Sequence, residues 1–389
     1  MKETIKTAFK PLIFWPIFIL SAAFYFYLSA LPLKLVEQAI LAWGLFFILL
    51  VLSHLDFMKT PVGRVLFLLL VSFVSLRYLL WRALNTLIYT GPADFFFMSL
   101  LFVAEVQVTT VYLMSMFTNV WPLKRPHVPL PDDQSTWPTV DVYFPTYTED
   151  EELVQITATA ATQLDYPKDK LNIYILDDGS TQQRKNHPVL GPGAYLREKI
   201  LRKLADSLGI HYLTRKSNQE AKAGNINNAL EHSQGDIILM LDCDHVPCED
   251  FLQQTLGWFF KDSKLFLVQT PHFFINPDPI EKSLDSFHQA PSENEMFYRG
   301  IHPSIDFWDA SFFCGSAALL KREFLVEAGG IRGDTITEDC ETSLDLHARG
   351  YHSVFIDKPM VCGLSPETFE DFVVQRTRWC QGMLQLGFL

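Results

Sequence analysis

Hydrophobic residues follow two different patterns along this chain, and the change comes near residue 122. Before it, four apolar stretches are separated by short polar connections, at residues 11–30, 38–54, 66–84 and 95–118. Each stretch approaches the ~20 residues that a helix needs to cross the core of a bilayer. A buried helix of a soluble protein could explain one of them, but four in succession predict a bundle of transmembrane helices over residues 1–122.

Beyond residue 138, short apolar runs alternate with amphipathic stretches. The runs predict strands at residues 139–147, 171–180, 210–214, 236–242 and 265–270, and the stretches at 193–208 and 221–233 predict helices. This alternation is typical of a parallel sheet covered by helices. The proline-rich residues 123–138 predict a linker, and residues 139–364 predict an α/β domain.

The charges indicate how the chain is oriented. The formal net charge is −12 although 49% of the residues are hydrophobic, and most charges follow residue 130. Basic residues lie before the first span, between the second and third, and after the fourth, at Lys2, Lys6, Lys10, Lys59, Arg64, Lys124 and Arg125. By the positive-inside rule, the N terminus and everything after residue 122 face the cytoplasm. The six cysteines have no CxxC pair and are interpreted as packing residues in a reducing compartment.

Charged residues lie inside the predicted spans. Arg77 is in the third span and Glu105 in the fourth. Charges inside a membrane are costly and face partners or a polar cavity. We therefore expect either a salt bridge between Arg77 and Glu105 or a hydrophilic lining for a polar substance that crosses the membrane.

Acidic residues follow the ends of the predicted strands. In a parallel sheet, ligands bind beyond the carboxyl ends of the strands. A single aspartate there is usually a turn former, but this chain has three acidic groups, at Asp177–Asp178, Asp242 with Asp244, and Glu338 with Asp339. If they converge, they repel one another, so the pattern predicts a divalent cation. Alternating aspartates supply oxygen ligands suited to Mg²⁺ or Mn²⁺.

Basic residues complete this predicted site. Lys222 opens a helix after a strand, where a cation and backbone N–H groups suit phosphate; a solvated lysine is the alternative. Ser365 and Pro366 are predicted to cap and begin a last helix. On it, Gln375, Arg378 and Trp379 share one face. Residues 365–389 could also form a helix that lies at a membrane interface.

These residues carry a resemblance. The ordered motifs DDG (177–179), DxD (242–244), TED (337–339) and QxxRW (375–379) resemble those of processive, inverting glycosyltransferases with a GT-A (Rossmann-like) fold. The stretches QTPHFFINPDP (269–279), ENEMFY (293–298) and FFCGSAALLKR (312–322) are similar to those of bacterial cellulose synthase catalytic subunits. The resemblance covers nearly the whole chain. It implies a GT-A-type domain preceded by an α-helical transmembrane bundle.

The resemblance implies a role for each matching residue. Residues that would hold the uridine of UDP-glucose are Thr146, Tyr147, Glu149, Asp177 and Asp178. Asp242 and Asp244 would meet ribose, diphosphate and Mg²⁺ (or Mn²⁺), with Asp244 the direct metal ligand. The residues that would stabilise the departing UDP are Lys222, Gln375, Arg376 and Arg378. Asp339 would be the general base, and the acceptor sugar would meet Trp379, Cys314 and His245.

The resemblance also implies a cellular function. The chain would be the catalytic subunit of a UDP-glucose-dependent β-1,4-glucan (cellulose) synthase in the bacterial inner membrane, coupling synthesis to export. Its partners would be the growing glucan, membrane lipids and a periplasmic subunit, but no nucleic acid. The chain resembles an amino-terminal fragment, and cyclic di-GMP would bind only a missing C-terminal part. The alternatives are a synthase of chitin, hyaluronan or mannan, or a catalytically silent subunit that binds nucleotide sugar.

Overall fold

The computed structural model describes the backbone from Pro11 and the side chains from Trp15, in both cases to Leu389. The chain forms two compact units, Met1–Trp121 and Pro122–Leu389, and each is described by itself. The residues Lys2, Lys6 and Lys10, which contributed to the predicted orientation, lie outside the described residues. The orientation therefore stays a prediction.

The first unit consists of helices joined by short connections. They are α1 (Pro11–Ala30), α2 (Leu35–Ser53), α3 (Pro61–Asn85) and α4 (Pro92–Thr118), with a 3₁₀ turn at Asp56–Lys59. Within the described residues, α2, α3 and α4 are long and apolar enough to cross a membrane, and Trp15–Ala30 is a shorter apolar helix. Many large apolar side chains on these helices are exposed, among them Trp43, Phe47 and Phe97. Such a surface suits a lipid environment.

Arg77 on α3 is buried and satisfies backbone carbonyls at the end of α1. Its guanidinium donates to the carbonyl oxygens of Leu28 (3.0 Å) and Leu31 (3.0 Å) and to the side chain of Gln38 (2.9 Å). The last carbonyls of a helix have no partner within the helix. Arg77 therefore acts as a C-terminal cap for α1 and links it to α2.

The predicted salt bridge between Arg77 and Glu105 is wrong. Glu105 instead accepts from Arg82 Nε (3.0 Å) and Tyr78 Oη (3.0 Å), so α3 and α4 are bridged through a different arginine. Five residues of an α-helix turn by about 140°. For that reason Arg82 faces α4 while Arg77 faces α1 and α2.

The second unit is built on a seven-stranded sheet with a smaller sheet beside it. The strands are β1 (Val140–Thr146), β2 (Leu171–Asp177), β3 (His211–Leu213), β4 (Ile237–Met240), β5 (Val246–Pro247), β6 (Leu265–Gln269), β7 (His272–Phe274), β8 (Ala318–Lys321), β9 (His352–Phe355) and β10 (Val361–Gly363). The large sheet has the order β3-β2-β1-β4-β8-β6-β9, and the small one the order β5-β10-β7.

Helices lie between these strands along the chain and after the last strand. They are α5 (Glu151–Thr162), α6 (Gln182–Lys185), α7 (Gly191–Leu208), α8 (Ala221–His232), α9 (Phe251–Thr255), α10 (Gly257–Lys261), α11 (Pro279–Leu284), α12 (Glu293–Glu295), α13 (His302–Phe307), α14 (Arg322–Ala328), α15 (Glu338–Ala348) and α16 (Phe369–Leu386). A π-helical segment, Met296–Ile301, joins α12 to α13. Short 3₁₀ turns occur at Gln134–Thr136 and Lys168–Lys170.

The large sheet is mixed, whereas the alternating pattern predicted a parallel sheet. β8 runs antiparallel to both of its neighbours, β4 and β6, while the remaining pairs are parallel. This four-residue strand was not predicted, because its apolar run is short and lies between a loop and a helix. Its insertion brings the segment that precedes it, residues 312–317, beside the carboxyl end of β4.

The strands are buried on both faces, so their sequences are almost continuously apolar. Along β1, Val142 and Phe144 pack into the core on one face of the sheet, and Tyr143 packs into the core on the other. In β4, Leu239 packs into the first of these cores and Met240 into the second. These two cores hold the carboxyl ends of β1, β2 and β4 side by side.

The proline-rich segment, residues 123–138, packs on the second unit. The Arg125 guanidinium pairs with the buried Asp306 carboxylate (2.7 Å), and Trp137 stacks on Tyr166 with ring centroids 5.4 Å apart. Val128 and Leu130 pack against the apolar core. The segment therefore covers one side of the sheet before β1 begins.

Replacement of Arg77 tests its capping role. In Arg77→Ala, the carbonyls of Leu28 and Leu31 lose their donor in an apolar environment, so we expect the free energy of unfolding to fall by about 2 kcal/mol or more. Thermal unfolding of the full-length protein in detergent measures this. Lys59→Ala is the control, because the Lys59–Asp56 pair is exposed and contributes only about 0–1 kcal/mol. Equal unfolding temperatures for the two variants would contradict the assignment.

Candidate active site

The first acidic pair, at the end of β2, is neutralised by arginines of the protein. Asp177 pairs with Arg197 (Nε to Oδ1, 3.0 Å) and accepts from the Tyr212 hydroxyl (2.8 Å). Asp178 accepts hydrogen bonds from Arg215 Nε and Nη2, both at 2.7 Å, which is a bidentate geometry. Since these carboxylates are compensated by protein side chains, the argument that all three acidic groups need a cation does not apply to this pair.

Arg197 also organises the loop that follows β1. Its guanidinium donates to Thr146 Oγ1 (2.7 Å) and to the backbone oxygen of Glu149 (2.5 Å). Glu149 in turn accepts from the Thr146 hydroxyl (2.8 Å) and from the amide of Tyr147 (2.6 Å). The Tyr147 ring is exposed and stacks on Arg184 at 4.7 Å. The predicted residues Thr146, Tyr147, Glu149, Asp177 and Asp178 thus come together in one cradle.

The second acidic pair forms a site suited to a metal ion. Ligand atoms of Asp242, Asp244 and His245 lie within 4.8 Å of one another. Burial raises the pKa of Asp244, and a bound cation would oppose that effect. Two carboxylates and an imidazole suit Mg²⁺ or Mn²⁺, with the nitrogen favouring the transition metal. The sequence interpretation assigned His245 to the acceptor and did not predict this grouping.

Buried polar residues hold His245 in place. His245 Nδ1 lies 2.7 Å from the Ser316 hydroxyl, and its ring packs edge to face on His272 at 4.7 Å. Burial lowers the pKa of His272 to about 3, so this ring is neutral. Ser316 also accepts from the amide of Asp242 (2.8 Å). The strand β8 and its preceding segment therefore set the orientation of the DxD loop.

Lys222 joins the DxD loop to the segment before β8. It stands at the start of α8, after two residues with positive φ, Glu220 (58°) and Ala221 (43°). Its ammonium donates to Asp242 Oδ1 (2.6 Å) and to the carbonyl oxygen of Gly315 (2.9 Å). Burial favours the neutral amine, but Asp242 and Glu338 outweigh it and raise the pKa of Lys222. Lys222 is therefore a fixed cation within the site.

Asp339 approaches the same point of the backbone. A Cβ atom added to Gly315 would lie 3.2 Å from Asp339 Oδ2 and 3.4 Å from Lys222 Nζ, and Gly315 has a φ of +81°. Only glycine satisfies both the conformation and the space. Burial and the neighbouring Glu338 raise the pKa of Asp339 to about 7. The carboxyl group can therefore exchange a proton near neutral pH.

Cys314 lies next to this point and is held by buried polar groups. Its amide donates to Gln269 Oε1 (2.9 Å), and its sulfur lies 3.3 Å from His302 Nε2. Burial raises the pKa of the thiol well above its usual value. Cys314 is therefore a neutral contact group and not a nucleophile.

The last helix begins at Phe369, not at Pro366 as the sequence predicted. Thr368 is the N-cap, since its hydroxyl accepts from the Asp371 amide (3.1 Å). Ser365 is held elsewhere, because its amide and carbonyl bond the side chain of Asn276 at 2.7 and 3.0 Å.

Helix α16 supports the loop that carries Asp339. The amide of Ile336 donates to Gln385 Oε1 (3.0 Å), and a Cβ atom added to Gly382 would lie only 2.4 Å from Thr337 Cγ2. This close approach requires a glycine at position 382. The QxxRW helix therefore positions the start of α15.

The arginines of the QxxRW motif differ in their surroundings. Arg376 is ion-paired with Glu293 (3.1 Å) and stacks on the Trp379 ring at 4.6 Å. Arg378 is exposed and has no hydrogen bond or ion pair within the described part of the chain. Gln375 is half-buried. Arg378 can therefore bind an anion without first losing a hydrogen bond or an ion pair.

Several residues of the site were missed by sequence reasoning. They are Arg197, Arg215, Gln269, His272 and Ser316. Their positions in the sequence carry no spacing pattern relative to the motifs. Two signals were available. The paired aspartates at 177–178 needed compensating cations, and Arg197 and Arg215 flank the third strand; Gln269, His272 and Ser316 lie in the stretches 269–279 and 312–322 that carry the resemblance.

Comparisons with known proteins bear on these observations. Residues 237–388 match the family described as Glycosyl transferase family group 2. The cellulose synthase catalytic subunit [UDP-forming] of Xanthomonas axonopodis pv. citri (strain 306) is 38% identical over 96% of this chain and 48% of its own length. That of Pseudomonas fluorescens (strain SBW25) is 41% identical over 91% of this chain and 45% of its own length. The chain thus spans about half the length of the curated relatives it matches.

A solved structure identifies the fold. The mannosyltransferase PcManGT from Pyrobaculum calidifontis, in complex with GDP-Man and Mn²⁺, superimposes with a TM-score of 0.52. The match covers 73% of this chain and 72% of that protein at 23% identity. The predicted GT-A-type fold is confirmed, with the difference that the sheet is mixed.

The contact between Gly382 and Thr337 can be tested with two glycine substitutions. Within a helix, Gly→Ala usually stabilises by roughly 0.5–1 kcal/mol. Gly382→Ala should instead destabilise by about 1–3 kcal/mol, because the new methyl group overlaps Thr337. Gly193→Ala is the control, since no atom lies within 4 Å of its added Cβ. Thermal unfolding and amide hydrogen exchange of residues 335–342 measure the difference. The contact would be contradicted if exchange of residues 335–342 were faster in Gly193→Ala than in the wild type, or if it were unchanged in Gly382→Ala.

Proposed function

We propose that this chain provides the catalytic domain of a processive β-1,4-glucan synthase that uses UDP-glucose. Residues 237–388 match the family described as Glycosyl transferase family group 2, and the chain is related over most of its length to bacterial cellulose synthase catalytic subunits. The observation that carries the proposal is the convergence on Gly315 of the Asp339 carboxyl group and the Lys222 ammonium group, next to Asp242. A proton acceptor and a fixed cation side by side suit transfer of a sugar from a diphosphate to a hydroxyl group.

The donor nucleotide would bind in the cradle after β1 and β2. The uridine would be held by Thr146, Tyr147, Glu149, Asp177 and Asp178. Two features support this assignment: Arg197 fixes the polar groups in one arrangement, and the exposed Tyr147 ring gives a flat surface for a base. Because Arg197 and Arg215 already neutralise the aspartates, the carboxylates can accept hydrogen bonds from uridine without a metal.

The diphosphate would bind next to the DxD loop with a divalent metal ion, Mg²⁺ or Mn²⁺. Asp242, Asp244 and His245 would hold the ion, and the closeness of their ligand atoms supports this fit. When bound, the ion compensates the charge of the diphosphate, which each carboxylate at about 4 Å would otherwise repel by roughly 4 kcal/mol at an effective dielectric of 20.

Asp339 would act as the general base. Its carboxylate accepts the proton of the 4-hydroxyl group of the acceptor sugar while the oxygen attacks the anomeric carbon of glucose. The bond from that carbon to the diphosphate breaks on the opposite side, so the α-linked donor gives a β-1,4 linkage. Lys222 stays close to the breaking bond, and with Gln375 and Arg378 it stabilises the negative charge on the departing UDP.

The acceptor end of the polymer would lie against Trp379 and the segment that contains Cys314. The exposed Trp379 ring gives a flat apolar surface, and the neutral thiol of Cys314 gives an uncharged contact. The helices of the first unit would place the domain at the bacterial inner membrane with its active site in the cytoplasm. Lipids, the growing glucan and a periplasmic subunit would be its partners.

The proposed base predicts a pH dependence. Asp339 must be ionised to accept a proton, and its pKa of about 7 means that UDP release from UDP-glucose should be high above pH 7 and lost as the pH falls through it. Asp339→Asn should lower turnover by about 10²-fold or more above pH 7, with UDP binding retained, and the difference from the wild type should shrink as the pH falls. Asp334→Asn, an exposed neighbour in the same loop, is the control. Near-normal synthesis by Asp339→Asn would rule out its role as base.

The metal site predicts a loss of cation binding. Mn²⁺ binding, measured by electron paramagnetic resonance on the full-length protein with UDP, should weaken by about tenfold or more in Asp244→Asn, because a charged ligand is lost. Asp250→Asn is the matched control, since Asp250 is about half exposed and pairs with Lys358. EDTA should abolish UDP-glucose binding, and Mg²⁺ or Mn²⁺ should restore it. Unchanged affinity under EDTA would contradict the site.

A further inference from the structure

The Arg376 guanidinium contacts three side chains. The group stacks on Phe372 at 4.9 Å and on Trp379 at 4.6 Å, and it pairs with Glu293 at 3.1 Å. Residues 372, 376 and 379 lie on one face of α16, at i, i+4 and i+7. Glu293 comes from a different element, since it begins α12 after the N-cap Ser292. Arg376 thus joins two separate helices through an aromatic stack.

This arrangement leaves Trp379 with one covered face. Arg376 occupies one side of the indole ring, while the side chain as a whole is 44% exposed. Phe372 is buried and forms the base of the stack. Arginine stacks on aromatic rings while its N–H groups bond a carboxylate in the same plane. The stack therefore fixes the tilt of the indole ring while the side chain stays partly exposed.

We propose that Glu293 and Arg376 are positioning residues that hold Trp379 as a rigid surface for the acceptor sugar. This inference rests on the proposed function for the identity of the acceptor, but the positioning itself does not. Without the Glu293 carboxylate, the Arg376 guanidinium would lose its ion pair and could turn from the indole ring towards solvent. Glu293 therefore keeps the Arg376 guanidinium stacked on the indole ring.

If Glu293 served only to stabilise the fold, its replacement would lower the unfolding temperature. The Glu293 side chain is 55% exposed, and ion pairs at such positions contribute little to overall stability. Glu293→Gln should therefore leave the unfolding temperature unchanged. The effect is expected only in the environment of Trp379 and in the use of the acceptor.

The environment of Trp379 can be measured without any activity. The full-length protein labelled with 5-fluorotryptophan gives ¹⁹F resonances, and Trp379→Phe identifies the one that belongs to Trp379. Glu293→Gln should shift and broaden this resonance, whereas Glu293→Asp, which keeps the charge, should restore most of it. Glu295→Gln is the matched control. It removes a carboxylate of the same helix that pairs instead with Arg299 (2.8 Å), and it should leave the resonance unchanged.

Kinetics give the second measurement. With a cello-oligosaccharide as acceptor, Glu293→Gln should raise the acceptor KM by roughly three- to tenfold, the size expected for loss of one cation–π contact. The kcat and the affinity for UDP should change by less than about twofold, because neither Asp339 nor the donor cradle is touched. Glu293→Asp should recover most of the acceptor affinity.

The two measurements separate failure of this inference from failure of the proposed function. An unchanged Trp379 resonance in Glu293→Gln would overturn the positioning role, whatever the activity of the wild-type protein. A shifted resonance with an unchanged acceptor KM would overturn the link to the acceptor. Absence of UDP release by the wild-type protein in the presence of UDP-glucose would instead count against the proposed function.

Discussion

The second unit depends on balancing the negative charge that gathers at the carboxyl ends of its central strands. A strand end is the place where a parallel sheet can bind a ligand, but several carboxylates there repel one another at low dielectric. The protein solves this differently at each position. Arg197 and Arg215 neutralise the pair after β2 permanently, whereas Lys222 balances Asp242 only in part and leaves Asp244 for a cation.

Close backbone approach is the second requirement of the site, and two glycines satisfy it. Gly315 lets Lys222 and Asp339 reach the same point, so the proposed base and the cation for the leaving group lie side by side. Gly382 lets α16 approach the loop before Asp339, which couples the QxxRW helix to the base. A displacement of either element would therefore disturb proton acceptance and leaving-group stabilisation together. Both parts of the proposed displacement depend on one packed arrangement.

The paired arginines of the QxxRW motif show how neighbours of identical type take different roles. Arg378 faces solvent, while Arg376 is enclosed by two aromatic rings and a carboxylate. In the first unit, Arg77 and Arg82 also have different partners. Arg77 bonds backbone carbonyls, whereas Arg82 pairs with Glu105. In both cases, the position on the helix selects the partner, because each residue further along turns the side chain by about 100°.

The sequence by itself determined the two-part organisation, the main strands and the set of residues proposed to carry the chemistry. Hydropathy period and motif order are local, so they can be found without coordinates. The sequence could not determine that β8 inserts antiparallel between β4 and β6, since a four-residue apolar run does not indicate a strand direction. Charge balance at Asp177 and Asp178 called for nearby cations, but the sequence could not show that Arg197 and Arg215 supply them. It also could not show the partners of Arg77 and Arg376, because ion pairs between residues far apart in the chain have no sequence period. Only the tertiary structure decided which charges are already paired and which remain to bind a ligand, because pairing depends on distance in space.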